Sequence, residues 1–499
     1  MTPLCYEINT RCWLRDLSSR AGRHLTLDDV PAEEFERWQR LGCTHIWLMG
    51  VWVTGPLSRS LALREPNLRR RYQELLPDWQ ESDVGGSPYA IGDYRVMAEL
   101  GGERALSTFR AQLHRHGLKL ILDFVPNHLG LDHPWLRDHP ERFVLSERKV
   151  AGTFRVKARH KTFWVAHGRD PYFPPWNDTA QLDYRRADTR KAMREQLLAI
   201  AEQCDGVRCD MAMLLLEEVF AKTWADFPVN EREVQGEFWR ETITAVKKAQ
   251  RGFLFLAEAY WNLEGTLQRL GFDFTYDKAW LDHLARGDGP AVQRHLLDHS
   301  PPYHRGSARF LENHDEPRIA SRLSLEQHRA AALLLLGLPG LRLLHEGQLE
   351  GRREHVPVQL ARRPIEPVDR EVAALYQQLL ALLPSTAISR GHAEILQPTE
   401  AWEGNFTAAH FVVVQWQAGR NEFDLVVVNL ASHRAQCRVR PALGKVARHR
   451  WKLVDLLGQE VWRRDGRELE QEGLFLDLPA HGAQLFRCLP ADGENQHPG

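Results

Sequence analysis

The chain has 499 residues, of which 43% are hydrophobic, enough to build a large core. This length exceeds one ordinary domain and suits a barrel of about 250 to 400 residues with an accessory domain. The formal net charge is -1 and no long run carries one sign, so nothing favours nucleic acid or an anionic membrane as a partner.

Apolar strand-like and helix-like segments alternate along most of the chain, a pattern typical of βα units around a parallel sheet. Eight strand-like segments predict an α/β fold in the form of a closed (β/α)₈ barrel. These strands are predicted at residues 4–8, 45–49, 119–125, 206–209, 253–257, 272–275, 308–311 and 341–344. Helices are predicted at residues 31–41, 103–116, 187–203, 238–250, 325–336 and 370–382.

Two regions depart from this alternation. Residues 129–186 show no clear helix and are rich in Pro, Trp, His and Arg, so we expect a small inserted domain over the active site. Residues 393–490 alternate β-branched and polar positions, which predicts a C-terminal antiparallel β-sandwich. The barrel would then comprise residues 1–128 and 187–392, and residues 491–499 would form a disordered tail.

The N-terminus lacks a basic segment followed by an apolar one, and no run approaches the roughly 20 apolar residues of a membrane span. We therefore expect neither a signal peptide nor a membrane anchor. The seven cysteines are odd in number and match no metal-site or disulfide spacing. Reduced thiols in a cytoplasmic protein are the expected consequence.

Four short segments carry the chemistry, and each ends an apolar strand-like run with acids, His or Arg. In a parallel barrel the C-terminal ends of the strands meet at one face, which holds the active site. Three carboxylates, one arginine and two histidines would converge there, and two carboxylates are what retaining glycoside hydrolysis requires. The segments are residues 123–128 (DFVPNH), 206–210 (GVRCD), 255–258 (FLAE) and 312–315 (ENHD).

The two reacting carboxylates can be distinguished by their surroundings. Arg208 and Asp210 are two residues apart on a strand, so their side chains point to the same side. A nearby guanidinium favours a charged carboxylate, so we expect a lowered pKa and assign Asp210 as the nucleophile. Glu258 follows an apolar run, which raises a carboxyl pKa and suits a general acid.

The same four segments resemble those of the α-amylase superfamily, glycoside hydrolase family 13, in their order along the chain. A further segment, residues 87–93 (SPYAIGD), resembles the loop whose tyrosine stacks under a bound glucose. The resemblance implies that Asp315 clamps two sugar hydroxyls as the third acid. It also implies a set of substrate-binding residues: Tyr89, Asp93, His128, Arg208 and His314.

Other aromatic and acidic residues are less specific. Four tryptophans could be platforms for sugar rings or ordinary core residues; Trp261, beside the predicted acid, is included among the substrate-binding residues. The others are Trp52, Trp164 and Trp176. Asp123 is expected to support the barrel interior by hydrogen bonding rather than to react.

The chain also departs from the family pattern. Many amylases have a Lys-His pair after the nucleophile, whereas Asp210 is followed here by Met-Ala-Met. Asn127 matches a position that often binds calcium, but Gln181 stands where an acid is common. The resemblance thus implies no required cofactor, and it leaves a structural calcium ion at Asn127 open.

Three functions remain open from the sequence. The first is a retaining hydrolase of α-1,4-linked glucans or gluco-oligosaccharides. The second is a retaining transglycosylase or phosphorylase on the same scaffold, which would share Asp210 and Glu258 and differ in the acceptor. The third is a catalytically silent glycan-binding protein, against which the intact set of acids argues. The oligomeric state is not predicted.

Overall fold

Eight parallel strands form a closed barrel in a computed structural model that describes residues 2–158, 161–227, 234, 236–419, 422–444 and 446–491. Each strand pairs with its neighbours in the chain, and β8 closes the ring onto β1. The barrel confirms the predicted fold class, and Ala491 is the only described residue of the predicted tail. The strands are β1 Leu4–Asn9, β2 His45–Met49, β3 Lys119–Phe124, β4 Gly206–Cys209, β5 Leu254–Ala257, β6 Phe274–Tyr276, β7 Ser307–Phe310 and β8 Leu341–His345.

Helices cover the outside of the barrel. One of them, Leu325–Gly337, begins at a capping box between Ser324 and Gln327, and its residues 330–337 are all apolar and buried. That composition fits its place between the barrel and the C-terminal domain, where Gly337 lies close to Val426. Other helices of the barrel region are Thr10–Ala21, Ala32–Arg40, Pro56–Arg64, Pro66–Leu75, Gly102–Arg115, Ala187–Gln203, Glu217–Thr223, Phe238–Ala249, Glu264–Leu270, Lys278–Ala285, Gly289–Asp298, Pro301–Arg305 and Arg370–Leu382. Among the described residues, no helix combines the length and apolar character needed to cross a membrane.

The segment after β3 contains its own small sheets. His128–Gly130 pairs antiparallel with Thr179–Gln181, and between them lies a three-stranded antiparallel sheet. Its strands are Leu145–Ser146, Thr153–Ala158 and Lys161–Ala166. A helix at Trp135–Asp138 corrects the expectation that this segment has none; one turn after Pro134 is too short to give a periodic pattern.

A second excursion, after β2, was not predicted. Trp52–Thr54 pairs antiparallel with Ile91–Val96, and the register shifts twice between them. This strand pair closes the segment that carries Tyr89, and so it holds Tyr89 at the C-terminal face of the barrel.

The C-terminal domain consists of two antiparallel sheets with an apolar core between them. Phe411 and Val413 face this core, whereas Val412 and Val414 belong to the core of the barrel. Alternate residues of this strand therefore pack against two different cores, that of the C-terminal domain and that of the barrel. The larger sheet contains His392–Leu396, Phe411–Gln417, Phe423–Asn429, Arg450–Asp455, Val461–Asp465 and Ala483–Pro490; the smaller contains Ala435–Val439 and Leu474–Leu478, and a short helix spans Gly466–Gln471.

Candidate active site

Two carboxylates and one arginine form the centre of the site. Asp210 directly follows β4 and Glu258 directly follows β5, so both lie at the C-terminal face of the barrel. Nη1 of Arg208 lies 2.7 Å from Oδ1 of Asp210, and Nη2 lies 2.7 Å from Oε2 of Glu258. One guanidinium therefore holds both acids, and all three side chains are buried.

Glu258 has two further hydrogen-bond donors. The backbone N–H of Met211 donates to Oε2 and the hydroxyl of Tyr260 donates to Oε1, each over 2.7 Å. Met211 has a φ of 44°, a left-handed conformation that is uncommon for a residue other than glycine. Such strained backbone clusters at functional sites, and here it directs an N–H group at the acid.

For one of the two acids, Asp210, the direction of the pKa shift differs from the expectation. Burial raises the pKa of Glu258 to about 7, and the negative charges of Asp210 and Asp315 act in the same direction against Arg208. Burial also raises the pKa of Asp210, although Arg208 opposes it. The expected lowering at Asp210 is therefore wrong, because the loss of solvent outweighs the ion pair.

Asp315 is the third acid, and its side chain, 47% exposed, faces the open part of the site. Its Oδ2 lies 3.0 Å from Nε2 of His314. Enclosure by protein alone would raise the pKa of Asp315, but the charges of His314 and Arg208 lower it to about 2. Asp315 is thus a carboxylate at neutral pH.

His314 connects Asp315 to two further residues. Nε2 lies 2.7 Å from the hydroxyl of Tyr89, and Nδ1 lies 2.6 Å from Oε1 of Glu7 in β1. The rings of Tyr89 and His314 are stacked, with centroids 5.3 Å apart. The structure therefore brings Tyr89, His314 and Asp315 together as the resemblance implies, and adds Glu7.

Aromatic rings enclose the guanidinium of Arg208. The carbon Cζ lies 5.2 Å from the ring centre of Tyr89, 5.4 Å from that of Trp47 and 5.8 Å from that of Tyr276. Such contacts stabilise a cation by the charge distribution of the ring face. Asp123 accepts hydrogen bonds from Trp47 and from the backbone of Gly50, so it supports this layer from below.

Two predicted residues lie at the edges of the cluster. His128 is buried, its ring centre is 5.0 Å from that of Trp176, and its Nδ1 lies 3.3 Å from Nδ2 of Asn127. Burial lowers the pKa of His128 to about 4, so the ring is neutral. Trp261, in a left-handed conformation with a φ of 64°, packs edge-on against Tyr172 beside Tyr260.

Two residues named from the sequence, Asp93 and Trp52, lie apart from this cluster. Asp93 is 37% exposed and pairs with Arg95 on the hairpin after β2, so the structure does not bring it to the three acids. Asp93 lies inside the strand Ile91–Val96, and its carboxylate contacts Arg95 two residues further on the same face of that strand. Trp52 is fully buried and donates to the backbone of Asp123, so it is a core residue and no sugar platform.

The surroundings of Asn127 do not fit a calcium ion. Its Oδ1 accepts a hydrogen bond from Nε2 of Gln181, and its Nδ2 donates to Oε1 of the same side chain. The two amides satisfy each other, and an N–H group occupies the place where a cation would need an oxygen ligand. We derive no role for a metal there.

A cleft of about 380 Å³ opens beside Glu258. Met211 and Tyr260, both hydrogen-bonded to Glu258, line it together with Trp261 and Phe173. Four carboxylates and a single lysine are also among the lining residues, namely Asp170, Glu264, Asp282, Glu316 and Lys278. Lys278 is ion-paired with Asp282 and, over 3.2 Å, with Glu316.

Several of these residues were not predicted: Glu7, Trp47, Tyr260 and Tyr276. One of them had a readable signal, because Glu7 is an acid inside an otherwise apolar strand. A buried acid needs a partner, which marks such a position for attention. The aromatic residues gave no such signal, since sixteen tryptophans and ten tyrosines are spread along the chain.

Two curated proteins share part of this sequence. The chain is 26% identical to alpha-amylase MalA of Haloarcula japonica over 280 residues, which cover 55% of this chain and 38% of that protein. It is 25% identical to maltase 1 of Drosophila virilis over 315 residues, or 52% and 49% of the two chains. The match therefore spans about half or less of these relatives.

A solved structure and a family model match more of the chain. The maltogenic alpha-amylase AmyB from Thermotoga neapolitana superposes with a TM-score of 0.69 at 19% identity, covering 98% of both chains, which shows the fold alone. The model of the alpha amylase catalytic domain matches residues 33–363, about two thirds of the sequence and most of the barrel. By its sequence and its fold, this chain belongs to the α-amylase family.

Proposed function

We propose that this protein is a retaining α-glycoside hydrolase that acts on α-1,4-linked glucans or gluco-oligosaccharides. The observation that carries the proposal is the pair of buried carboxylates, Asp210 and Glu258, on the single guanidinium of Arg208. Retaining hydrolysis needs two carboxyl groups close to each other, one charged and one protonated. A shared guanidinium keeps the two groups close.

Asp210 is proposed as the nucleophile. Its oxygen attacks the anomeric carbon, the glycosidic bond breaks, and the sugar becomes esterified to the enzyme. Asp210 and Glu258 contact the same guanidinium, and Glu258, whose pKa burial raises to about 7, is the member that carries the proton. With the proton on Glu258, Asp210 is the charged partner of Arg208.

Glu258 is proposed as the acid and base. It gives its proton to the leaving glycosidic oxygen in the first step. In the second step the resulting carboxylate takes a proton from water, whose oxygen attacks the anomeric carbon and releases Asp210. Tyr260 and Met211 donate hydrogen bonds that hold the Glu258 carboxyl in place through both steps.

The remaining polar residues are proposed to bind the sugar ring. Asp315 stays charged at neutral pH and is half exposed to the site, so it can accept hydrogen bonds from two sugar hydroxyls. His128 and His314 would contact hydroxyls of the same ring, and Tyr89 would give an aromatic face. A negative charge at Asp315 also favours the positive charge that develops on the sugar in the transition state.

The cleft beside Glu258 supports a sugar rather than phosphate as the leaving group or acceptor. An acid that protonates a leaving group lies on that group's side, and this cleft is lined by the hydrogen-bond partners of Glu258. Its four carboxylates repel an anion, and its single lysine is neutralised by two of them. Carboxylates and aromatic rings suit the hydroxyls and the apolar face of a neutral sugar.

A transglycosylase is the second candidate, and one observation favours it. Met211, with Trp261 and Phe173, gives the cleft an apolar wall. An apolar wall holds a sugar acceptor better than it holds water. The phosphorylase alternative is disfavoured by the carboxylates of the same cleft.

The product profile with maltoheptaose tests the proposal. The protein would be incubated with and without inorganic phosphate, beside an Asp210→Asn variant as control. Shorter sugars alone are expected; longer sugars would favour the transglycosylase, and a phosphorylated sugar would overturn the argument from the acidic cleft. Equal turnover by Asp210→Asn would overturn the assigned nucleophile.

We also propose a cytoplasmic location. All seven cysteines, each within the described part of the chain, are buried free thiols. Free thiols are typical of a reducing compartment. Thiol labelling of the denatured protein after extraction under alkylating conditions tests this, because seven labels per chain are expected.

A further inference from the structure

Glu7 is a buried acid that the proposed mechanism does not use. It lies near the end of β1, in register with Trp47 of β2 and His345 of β8, and is fully buried. Its Oε1 lies 2.6 Å from Nδ1 of His314, and its Oε2 has no hydrogen-bond partner among the described residues. A carboxylate that is buried and half satisfied is costly, and such groups are usually retained for a function.

The two ends of the His314 ring impose one protonation state. Glu7 accepts at Nδ1, and Asp315, with the hydroxyl of Tyr89, lies at Nε2. A neutral imidazole has one N–H and one bare nitrogen, so one of the two carboxylates would face a lone pair. Only the imidazolium can donate to both acids at once.

The other groups around His314 do not change this conclusion. Trp47 presents a ring edge, and Nε2 of His355 donates to the backbone oxygen of His314 rather than to its ring. The acids that face the ring from other strands favour the cation further, while His345 opposes it. The charged or titratable neighbours are Glu7, Asp315, Tyr89, Asp123, Asp210 and His345.

We propose that Glu7 is a positioning residue, which holds His314 as a fixed imidazolium and thereby orients Asp315 and Tyr89 toward the sugar. The inference deepens the proposed function and rests on the roles given there to Asp315 and Tyr89. Glu7 itself touches neither the reacting carboxylates nor the sugar. It acts through His314, whose position keeps the Asp315 carboxylate charged and turned to the open side of the site.

The protonation of His314 supports this inference. The pKa of His314 is raised well above its ordinary value, because the charges of Asp315 and Glu7 outweigh burial. Removing the charge of Glu7 should therefore lower the pKa of His314 by about one to three pH units. The pKa of Asp315 should rise in turn, since it loses part of its cationic partner.

The test is the titration of the His314 ring nitrogens, followed by ¹⁵N NMR in the full chain with labelled histidine. Spectra of a His314→Gln variant identify the signals. In Glu7→Gln, which keeps the shape of the side chain, His314 should become neutral at a lower pH, and Glu7→Asp should restore part of the shift. Glu312→Gln is the matched control. Glu312 is equally buried but binds Arg318, so the pKa of His314 should not change in this variant.

Kinetics give the second measurement. For Glu7→Gln, kcat/KM at pH 7 should fall about 10- to 100-fold, as expected for the loss of one charge-assisted hydrogen bond, and the fall should deepen as the pH rises. An unchanged titration of His314 in both Glu7 variants overturns the inference, even if activity is lost. A shifted titration in a protein that never acted on glucans would confirm that Glu7 keeps His314 protonated, and would refute the proposed function together with the orientation of Asp315 and Tyr89 toward a sugar.

Discussion

Arg208 and Glu258 form a buried ion pair in which Nη2 of the arginine lies 2.7 Å from Oε2 of the acid. The same guanidinium binds Asp210 through Nη1. The protonation states of Asp210 and Glu258 therefore depend on each other, because Arg208 contacts both carboxylates and the charge of Asp210 raises the pKa of Glu258. The pH dependence of the reaction should follow from this arrangement.

The first prediction concerns the alkaline limb of the pH profile. Glu258, with a pKa raised by burial to about 7, must hold its proton to protonate the leaving oxygen. For an unactivated oligosaccharide, kcat/KM should therefore decline as the pH rises through about 7. Glu258→Gln should lose at least 100-fold in activity with this substrate.

An activated substrate separates acid catalysis from damage to the site. α-Glucosyl fluoride has a leaving group that needs little protonation, so Glu258→Gln should still release fluoride from it. Equal losses with the oligosaccharide and the fluoride would contradict the assignment of Glu258 as the acid.

The second prediction concerns Tyr260, whose hydroxyl donates a hydrogen bond to Oε1 of Glu258. A donor stabilises the ionised carboxylate, so Tyr260→Phe should raise the pKa of Glu258 further and move the alkaline limb to higher pH. The value of kcat/KM at its optimum should fall up to about tenfold.

The control for Tyr260 is another buried tyrosine. The hydroxyl of Tyr184 donates to the backbone oxygen of Pro126 and not to a carboxylate. Tyr184→Phe should lower the melting temperature without moving the limb. An alkaline limb that stays in place in Tyr260→Phe would show that this hydroxyl does not act on Glu258.

The third prediction concerns calcium at Asn127. Since the amides of Asn127 and Gln181 satisfy each other, chelation by EDTA should leave the melting temperature unchanged. Gln181→Glu removes the amide donor and sets a carboxylate against the oxygen of Asn127, so it should lower the melting temperature. Calorimetry with EDTA and with added calcium measures both effects, and a melting temperature that falls in EDTA alone would refute this account.

The fourth prediction concerns the stability of the barrel. Asp277, at the end of β6, pairs with Arg309 of β7 over 2.8 Å, and both side chains are about 1% exposed. Arg309→Met would leave a buried carboxylate without its main partner, at a cost of about 3 to 5 kcal/mol in the free energy of unfolding.

An exposed ion pair is the matched comparison. Lys191 and Glu195 lie one turn apart on a surface helix, so Lys191→Met should change the free energy of unfolding very little. Urea denaturation of the two variants decides the point. A similarly small change in the free energy of unfolding in both variants would mean that the buried pair does not stabilise the packing of β6 against β7.

The parts that the sequence predicts well are those with a strong local pattern. Every barrel strand lies within two residues of its predicted position, because short apolar runs between helices have few alternatives. Asp210 and Glu258 could be placed for the same reason, since each directly ends such a run. Parallel strands then bring their ends to one face without further information.

The parts that the sequence predicts poorly depend on contacts between distant segments. Asp93 lies close in sequence to Tyr89, yet its half-exposed side chain pairs with Arg95. The net direction of the Asp210 pKa depends on how deeply the fold buries it, which Arg208 two residues earlier does not reveal. Glu7 and His314 are 307 residues apart, so their contact appears only in the closed barrel.

Trapping of the covalent intermediate tests the central claim most directly. The protein would be incubated with 5-fluoro-α-glucosyl fluoride, in which the ring fluorine slows both steps and the good leaving group lets the intermediate accumulate. Mass spectrometry should find one fluoroglucosyl group per chain, on the peptide that contains Asp210, and none in Asp210→Asn. Turnover of substrate with no adduct and with inversion at the anomeric carbon, or an adduct on another carboxylate, would contradict the account.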